Sequence, residues 1–149
     1  PPPYLVSFAE VEIDLNSGKV KAIDFLNYID CGVPINPVLA RGQVEGASAQ
    51  GIGMALFEDH VMDKNGRIIT NDFFTYKIPA RGDIGRIQVR FVKSYEPTGP
   101  FGAKSVSEIG LDTPGPAIAN AIFDAIGIRI RRLPISSEDL FFEIRKKGL

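Results

Sequence analysis

Residues 36–57 read NPVLARGQVEGASAQGIGMALF, and this stretch decides the fold. Asn36 followed by Pro37 is a helix start. The asparagine side chain can accept from the orphan N–H groups of the first turn, and a proline at the first helical position gives up an N–H that has no partner there. The helix is expected to run from Pro37 to Phe57. Its interior carries Gly42, Gly46, Gly51 and Gly53. Each glycine costs about 1 kcal/mol relative to alanine in a helix, so the set costs about 3–4 kcal/mol. Close approach of a neighbouring backbone or of a ligand is the usual compensation. Gln43 and Gln50, seven residues apart, share a helix face to within about 20°, and Gly46 and Gly53 lie on much the same side. Amide groups on a face with little side-chain bulk suit the edge of a heterocycle. A tight helix contact, with the glutamines making ordinary hydrogen bonds, has the same pattern, and both readings stand.

Outward from this helix the elements are short. Tyr4–Asp14 places Val6, Phe8, Val11, Ile13 and Leu15 at mostly alternating positions, the period of a half-buried strand. Asn16-Ser17-Gly18 is a turn, and Lys19–Tyr28 completes a β-hairpin. Two short strands are expected at 58–63 and 66–70 around Lys64-Asn65-Gly66, and another at 87–92. Residues 94–113 form a long loop rich in Gly, Pro and Ser, a length that often carries function. Thr113-Pro114 opens a helix with a buried stripe of Ile118, Ala121, Ile122, Ala125 and Ile126, stopped by Gly127. Ile128–Ile130 reads as a short strand. Ser136 caps a last helix with Asp139 at capping-box distance, and its basic end suits the helix dipole. The fold class is α+β: a β-hairpin and short mixed strands packed with a long Gly-rich helix and two C-terminal helices, as one domain over residues 1–149.

Composition narrows the chemistry. A chain of 149 residues with 44% apolar and 23% charged side chains can bury a real core, and a net charge of −1 gives no reason to expect nucleic acid or an anionic membrane as partner. The basic runs Arg129, Arg131, Arg132 and Arg145–Lys147 read as solvated faces or helix-end charges. Cys31 is the only cysteine and His60 the only histidine, so a disulfide and a His- or Cys-based metal cage are both excluded. One cysteine fits a reducing, cytoplasmic setting. No apolar run approaches a membrane span. The opening PPPYLVSF has no initiator methionine and reads as part of a longer or processed chain.

Among polar residues, Glu108 sits in a glycine-bearing loop just before a helix, with Lys104 four residues earlier and Asp112 four residues later. Enclosed by cofactor and substrate it would lose solvation and gain basicity; taken alone it reads as a solvated loop carboxylate, as most glutamates are. Asp30 and Asn36 are explained by turn and capping chemistry, and Cys31 by burial. His60 has no matching Ser or Asp pattern. Phe73, Phe74 and Tyr76 read as core.

Three segments, in order, resemble the molybdenum hydroxylases of the xanthine dehydrogenase and aldehyde oxidase family. Residues 30–56, DCGVPINPVLARGQVEGASAQGIGMAL, resemble its Asp-x-Gly, Asn-Pro, Gly-Gln-x-Glu-Gly and Gln-Gly-x-Gly run. Residues 99–108, GPFGAKSVSE, resemble its Gly-Ala-Lys loop ending in glutamate. Residues 116–136 resemble its Pro-Ala-x-Ala-Asn-Ala-Ile helix and Leu-Pro close. The resemblance implies that Glu108 is the general base, taking a proton from a molybdenum-bound hydroxyl so that water-derived oxygen adds to an electron-poor carbon. It implies that Gln43 hydrogen-bonds the pterin, with Ser105, Val106 and Ser107 as further cofactor-binding residues. Because the molybdopterin dithiolene holds the metal, no protein ligand to it is needed. A purine, aldehyde or N-heterocycle is the implied small-molecule substrate. Iron–sulfur and FAD groups are expected in partner domains or subunits, together with an upstream part of the same subunit, and a homo-oligomer stays open. Without these the isolated chain is expected to be inactive. Two positions depart from the pattern: Ser107 stands where many relatives have Gly, and Ile109 where they have Pro. A non-catalytic structural or interaction domain that kept the fold is the alternative.

Overall fold

The hairpin expected from the opening residues is present in the computed structural model, which describes all residues from 1 to 149. Strand β1 (Tyr4–Asp14) pairs antiparallel with β2 (Lys19–Asp30), and the register shifts once between Glu10 and Val11. Asp14 organises the turn, accepting from the Asn16 backbone N–H at 2.9 Å and from the Ser17 hydroxyl at 2.7 Å. The strict period of two along β1 turns Leu5, Ala9, Val11 and Ile13 inward and leaves Val6 and Phe8 exposed beside Glu10 and Glu12. Val6 and Phe8 therefore do not share the buried face of Val11 and Ile13, because an even and an odd position cannot point to one side of a pleated strand.

Helix α1 spans Pro37–Leu56, and the Asn36 side chain accepts from the N–H groups of Val38 and Leu39 at 3.1 Å each. The chain then returns to add β3 (Arg86–Phe91) parallel to β2, giving the sheet order β1-β2-β3. A parallel neighbour requires a crossover, and α1 with the segment after it supplies one. The pair of strands expected at 58–63 and 66–70 reduces to a single bridge between Met62 and Ile68, since a turn organised by Asp63, whose carboxylate accepts from Asn65 and Arg67, takes up the chain between them.

A 3-10 turn (Pro100–Gly102), a short helix α2 (Ile109–Asp112), α3 (Pro114–Ile126) and α4 (Ser137–Lys147) complete the α+β fold. Ser136 caps α4, accepting from the Asp139 N–H at 3.2 Å. In α3 only Ile118 and Ile122 of the expected stripe are fully buried, and Ala125 faces outward. Residues 128–130, expected as a short strand, form no strand. Phe73 and Phe74 are 84% and 88% exposed, so they are not core; the chain around them is irregular and presents no face to the sheet.

Two apolar clusters hold these layers. The larger joins Val20, Ala22 and Phe25 of β2 to Ile52 and Ala55 of α1, Ile118 and Ile122 of α3, and Leu140 and Ile144 of α4. The smaller joins Ile29, Cys31, Val44 and Val89, with Val106 and Ile109 packed against it. A polar network runs between the sheet and the helices. Ser7 Oγ lies 2.6 Å from Asn27 Oδ1 and 2.7 Å from Thr113 Oγ1. Having one proton, Ser7 donates to the amide oxygen and accepts from Thr113. Asn27 Nδ2 in turn donates to Ser48 Oγ at 3.1 Å. Asn27 and Ser48 are wholly buried, and paired in this way neither is left with an unmet polar group.

Candidate functional site

The loop ending at Glu108 is held to α1 by three contacts of different kinds. Val106 and Ile109 pack on the smaller apolar cluster, which includes Val44 of α1. Gly110 lets α2 lie close on α1: a β-carbon there would stand 2.9 Å from Ala47 Cβ and 3.0 Å from the Val44 carbonyl oxygen. Gln43 Nε2 donates to the Ser107 carbonyl oxygen at 2.8 Å, across 64 residues of sequence. With Val106 and Ile109 turned inward, Ser105, Ser107 and Glu108 are left exposed. The alternation of apolar and polar residues in SVSEI thus becomes a buried edge and an open edge.

The structure therefore brings together Gln43, Ser107, Val106 and the backbone leading to Glu108. Ser105 and Gln50 stay exposed. Glu108 is the N-terminal residue flanking α2, yet its side chain caps no backbone N–H there, so its carboxylate is not consumed by the helix. The enclosure expected to desolvate Glu108 is not supplied by these 149 residues, in which Glu108 is open.

The glycine face of α1 divides in two. Gly51 and Gly53 are packing glycines, with Pro114 and Leu111 over the first and Glu58 and Pro79 over the second. Gly42 and Gly46 have no atom within 4 Å of where a β-carbon would stand. Those two bear the helix penalty with no contact in this chain to offset it, and Gly46 sits on the same side as Gln43 and Gln50. This face carries the Gln43 and Gln50 amides, with no atom over its two open glycines.

Lys104 does not pair with Glu108. Its ammonium lies 2.7 Å from Asp30 Oδ2, and the two side chains are 10% and 20% exposed. Asp30 also accepts from the Ser94 hydroxyl and from the Gly32 N–H at 3.1 Å. The Lys104 ammonium, then Ser94 and Gly32, hold the Asp30 carboxyl down to about 2. The same bond to Asp30 raises Lys104 above the ordinary lysine value. Asp30 is therefore more than the turn residue read from the sequence; its partner Lys104 lies 74 residues away, and no local spacing joins them. Cys31 is buried, as expected, and burial pushes its thiol up.

A cavity of about 360 Å³ lies beside the site, between Cys31, Pro34, Ile35, Leu39, Gln43 and Val106. A larger cleft of about 500 Å³ next to α4 is lined by Arg129, Arg131, Arg132, Lys146 and Lys147 and includes no residue of the Glu108 loop. Several of these cations have local work. Arg129 donates to Asn120 and lies over Phe123, and Lys147 caps α3 through the Ile126 carbonyl at 2.6 Å. No group of three or more His, Cys, Asp or Glu side chains is placed to hold a metal ion.

Comparison with known proteins gives concordant matches. The family model of the molybdopterin cofactor-binding domain matches residues 1–85. The probable hypoxanthine oxidase XdhD of Escherichia coli (strain K12) is 41% identical over 145 residues, covering 97% of this chain and 15% of XdhD. Among solved structures, quinoline 2-oxidoreductase from Pseudomonas putida 86 matches with a TM-score of 0.86 and 31% identity, over 93% of this chain and 18% of that one. Aldehyde oxidoreductase from Desulfovibrio gigas matches with a TM-score of 0.79 and 36% identity, over 96% of this chain and 15% of that one. The chain thus spans less than a fifth of the length of each of these relatives.

Proposed function

We propose that this chain, which belongs to the molybdopterin cofactor-binding domain family of the molybdenum hydroxylases, is the C-terminal, catalytic-base domain of an oxidoreductase. The whole enzyme would hydroxylate a purine, aldehyde or N-heterocycle with oxygen taken from water. The observation that carries this reading is the bond from Gln43 to the Ser107 carbonyl, which joins the open glycine face of α1 to the residue before Glu108.

The open glycines support a fit to the cofactor. Gly42 and Gly46 leave α1 without side-chain bulk, with no atom over them. Gln43 and the backbone at Ser105, Val106 and Ser107 would hold the pterin edge. When bound, the pterin-held molybdenum supplies the two-electron acceptor for the hydroxylation. Glu108 would accept the proton released as the oxygen nucleophile forms, a role suited to a carboxylate that caps nothing in its own helix. Gln43 has a separate task. It spends one amide donor on Ser107, which fixes the amide plane and leaves its second donor and its oxygen for a ligand. The side chains missing from around Glu108 would come from an upstream part of the same subunit, and iron–sulfur and flavin groups from partner domains or subunits. No helix is long and apolar enough to cross a membrane.

Glu108→Gln in the intact enzyme tests this directly. Loss of a general base lowers turnover by about 10²–10⁴-fold, and bound molybdenum should stay near the wild-type level. Wild-type turnover in that variant would eliminate the assignment.

A further inference from the structure

The pair Asp30 and Lys104 stands where the three strands meet the Glu108 loop. Asp30 ends β2 and is paired in register with Tyr4, the first residue of β1. Lys104 Nζ lies 5.0 Å from the centre of the Tyr4 ring, on its face. Ser94, three residues beyond β3, donates to the same Asp30 carboxylate. The backbones are tied as well: Lys104 N–H donates to the Cys31 carbonyl at 2.8 Å, and Val33 N–H to the Gly102 carbonyl at 2.9 Å. Gly32, at φ +65°, allows this approach, because a β-carbon there would overlap the Gly102 carbonyl oxygen.

We propose that Asp30 and Lys104 are positioning residues, an ion-paired clamp that sets the Glu108 loop against Gln43 by referring it to the ends of the sheet. This rests on the reading of Glu108 as the base. Residues 105–108 lie outside regular structure, so their place is fixed from both sides: by Val106, Ile109 and Gln43 on α1, and by Lys104 upstream. A lysine ammonium extended into solvent would leave the upstream side loose. Here it is turned inward to a carboxylate that has two further donors, and removing either partner leaves the other shielded from water without its counter-charge. The pair also keeps the ammonium committed to Asp30, away from the glutamate four residues along.

Asp30→Asn, Lys104→Met and the double variant test the clamp in the intact enzyme by hydrogen–deuterium exchange read by mass spectrometry. Peptides carrying Lys104 and Val33 report the backbone ties, and peptides carrying Ile122 of α3 report the core. Each single variant should speed exchange at Lys104 and Val33 by tenfold or more beyond any change at Ile122. The double variant should be no worse than either single one, because the pair acts as a unit. Parent-like exchange at Lys104 and Val33, or an equal rise at Ile122, would overturn the clamp. Both single variants should also lower kcat at least tenfold with KM within about twofold, as expected when an interaction made in the transition state is lost; an unchanged kcat overturns the positioning role. If Glu108→Gln itself leaves turnover intact, the reading of Glu108 has failed, and the exchange result alone decides whether the clamp exists.

Discussion

Gln43 Nε2 reaches the Ser107 carbonyl oxygen at 2.8 Å, from the second turn of the long helix to the residue before the glutamate. Both residues are exposed in this chain, so water competes for the bond and its net contribution is small, about 0.5–1.5 kcal/mol. Its value is geometric. Gln43→Ala should shift the chemical denaturation of the chain by no more than about 1 kcal/mol, while the molybdenum and pterin content of the intact enzyme falls several-fold. Unchanged cofactor content in the purified variant would separate Gln43 from cofactor binding.

The two kinds of glycine on α1 should answer differently to alanine. Gly46→Ala meets open space and gains helix propensity, so the isolated chain should be stabilised by about 0.5–1 kcal/mol. Gly51→Ala has the same propensity gain but sets a methyl 2.6 Å from Pro114 Cγ and 2.8 Å from the Leu111 carbonyl oxygen. Overpacking of this kind should leave a net loss of about 1–2 kcal/mol. Urea titration of the two variants measures both signs. In the intact enzyme the stabilising Gly46→Ala should lower cofactor content, since the added methyl occupies the face on which the pterin would lie.

Asn27 is the joint of the buried polar network, bonded to Ser7 and Ser48. Asn27→Leu is close in volume but leaves the buried Ser48 hydroxyl without its amide donor, while Ser7 keeps Thr113. An unmet buried group costs about 1–3 kcal/mol, so a loss of about that size is expected. Equilibrium denaturation reads it, and a loss well under 1 kcal/mol would mean that water or a rearrangement satisfies Ser48.

Acid should act through Asp30. Its folded-state value is held down to about 2, mainly by Lys104, below the ordinary aspartate value of about 3.9. For a depressed carboxylate the stabilisation is complete above the unfolded value and is lost as pH falls through the folded one. The contribution of Asp30 should therefore be whole above about pH 4 and fade toward pH 2. Lys104, raised above its ordinary value, should keep its part until the alkaline range beyond that of a free lysine. Urea midpoints followed from pH 5 to pH 2 should fall less steeply for Asp30→Asn than for the parent chain, and parallel curves would show that the pair is not coupled to stability.

Local chemistry explains which parts of this architecture were legible. The start of α1 at Asn36-Pro37 and the end of α3 at Gly127 follow from capping and from a residue free to take φ +67°. The strands at 58–63 and 66–70 were not legible as a mere bridge, because alternation over about five or six residues does not say whether a sheet is available to extend them. Val6 and Phe8 are apolar, but the pleat, fixed by the other strand residues, turns them out.

The sequence by itself determined the helix carrying Gln43, the glycine-bearing loop ending at Glu108, and the order of segments that identified the family. These are local or linear properties, set by propensity, capping and composition. Only the tertiary structure decided that Gln43 bonds Ser107, that Gly51 and Gly53 are packing positions while Gly42 and Gly46 are open, and that Lys104 belongs to Asp30. Each of these joins residues distant along the chain or depends on what lies above a helix face. A lysine four residues from a glutamate is close in sequence, but its direction is chosen by the strand ends that arrive beside it, and those are brought there by the parallel crossover of β3 onto β2.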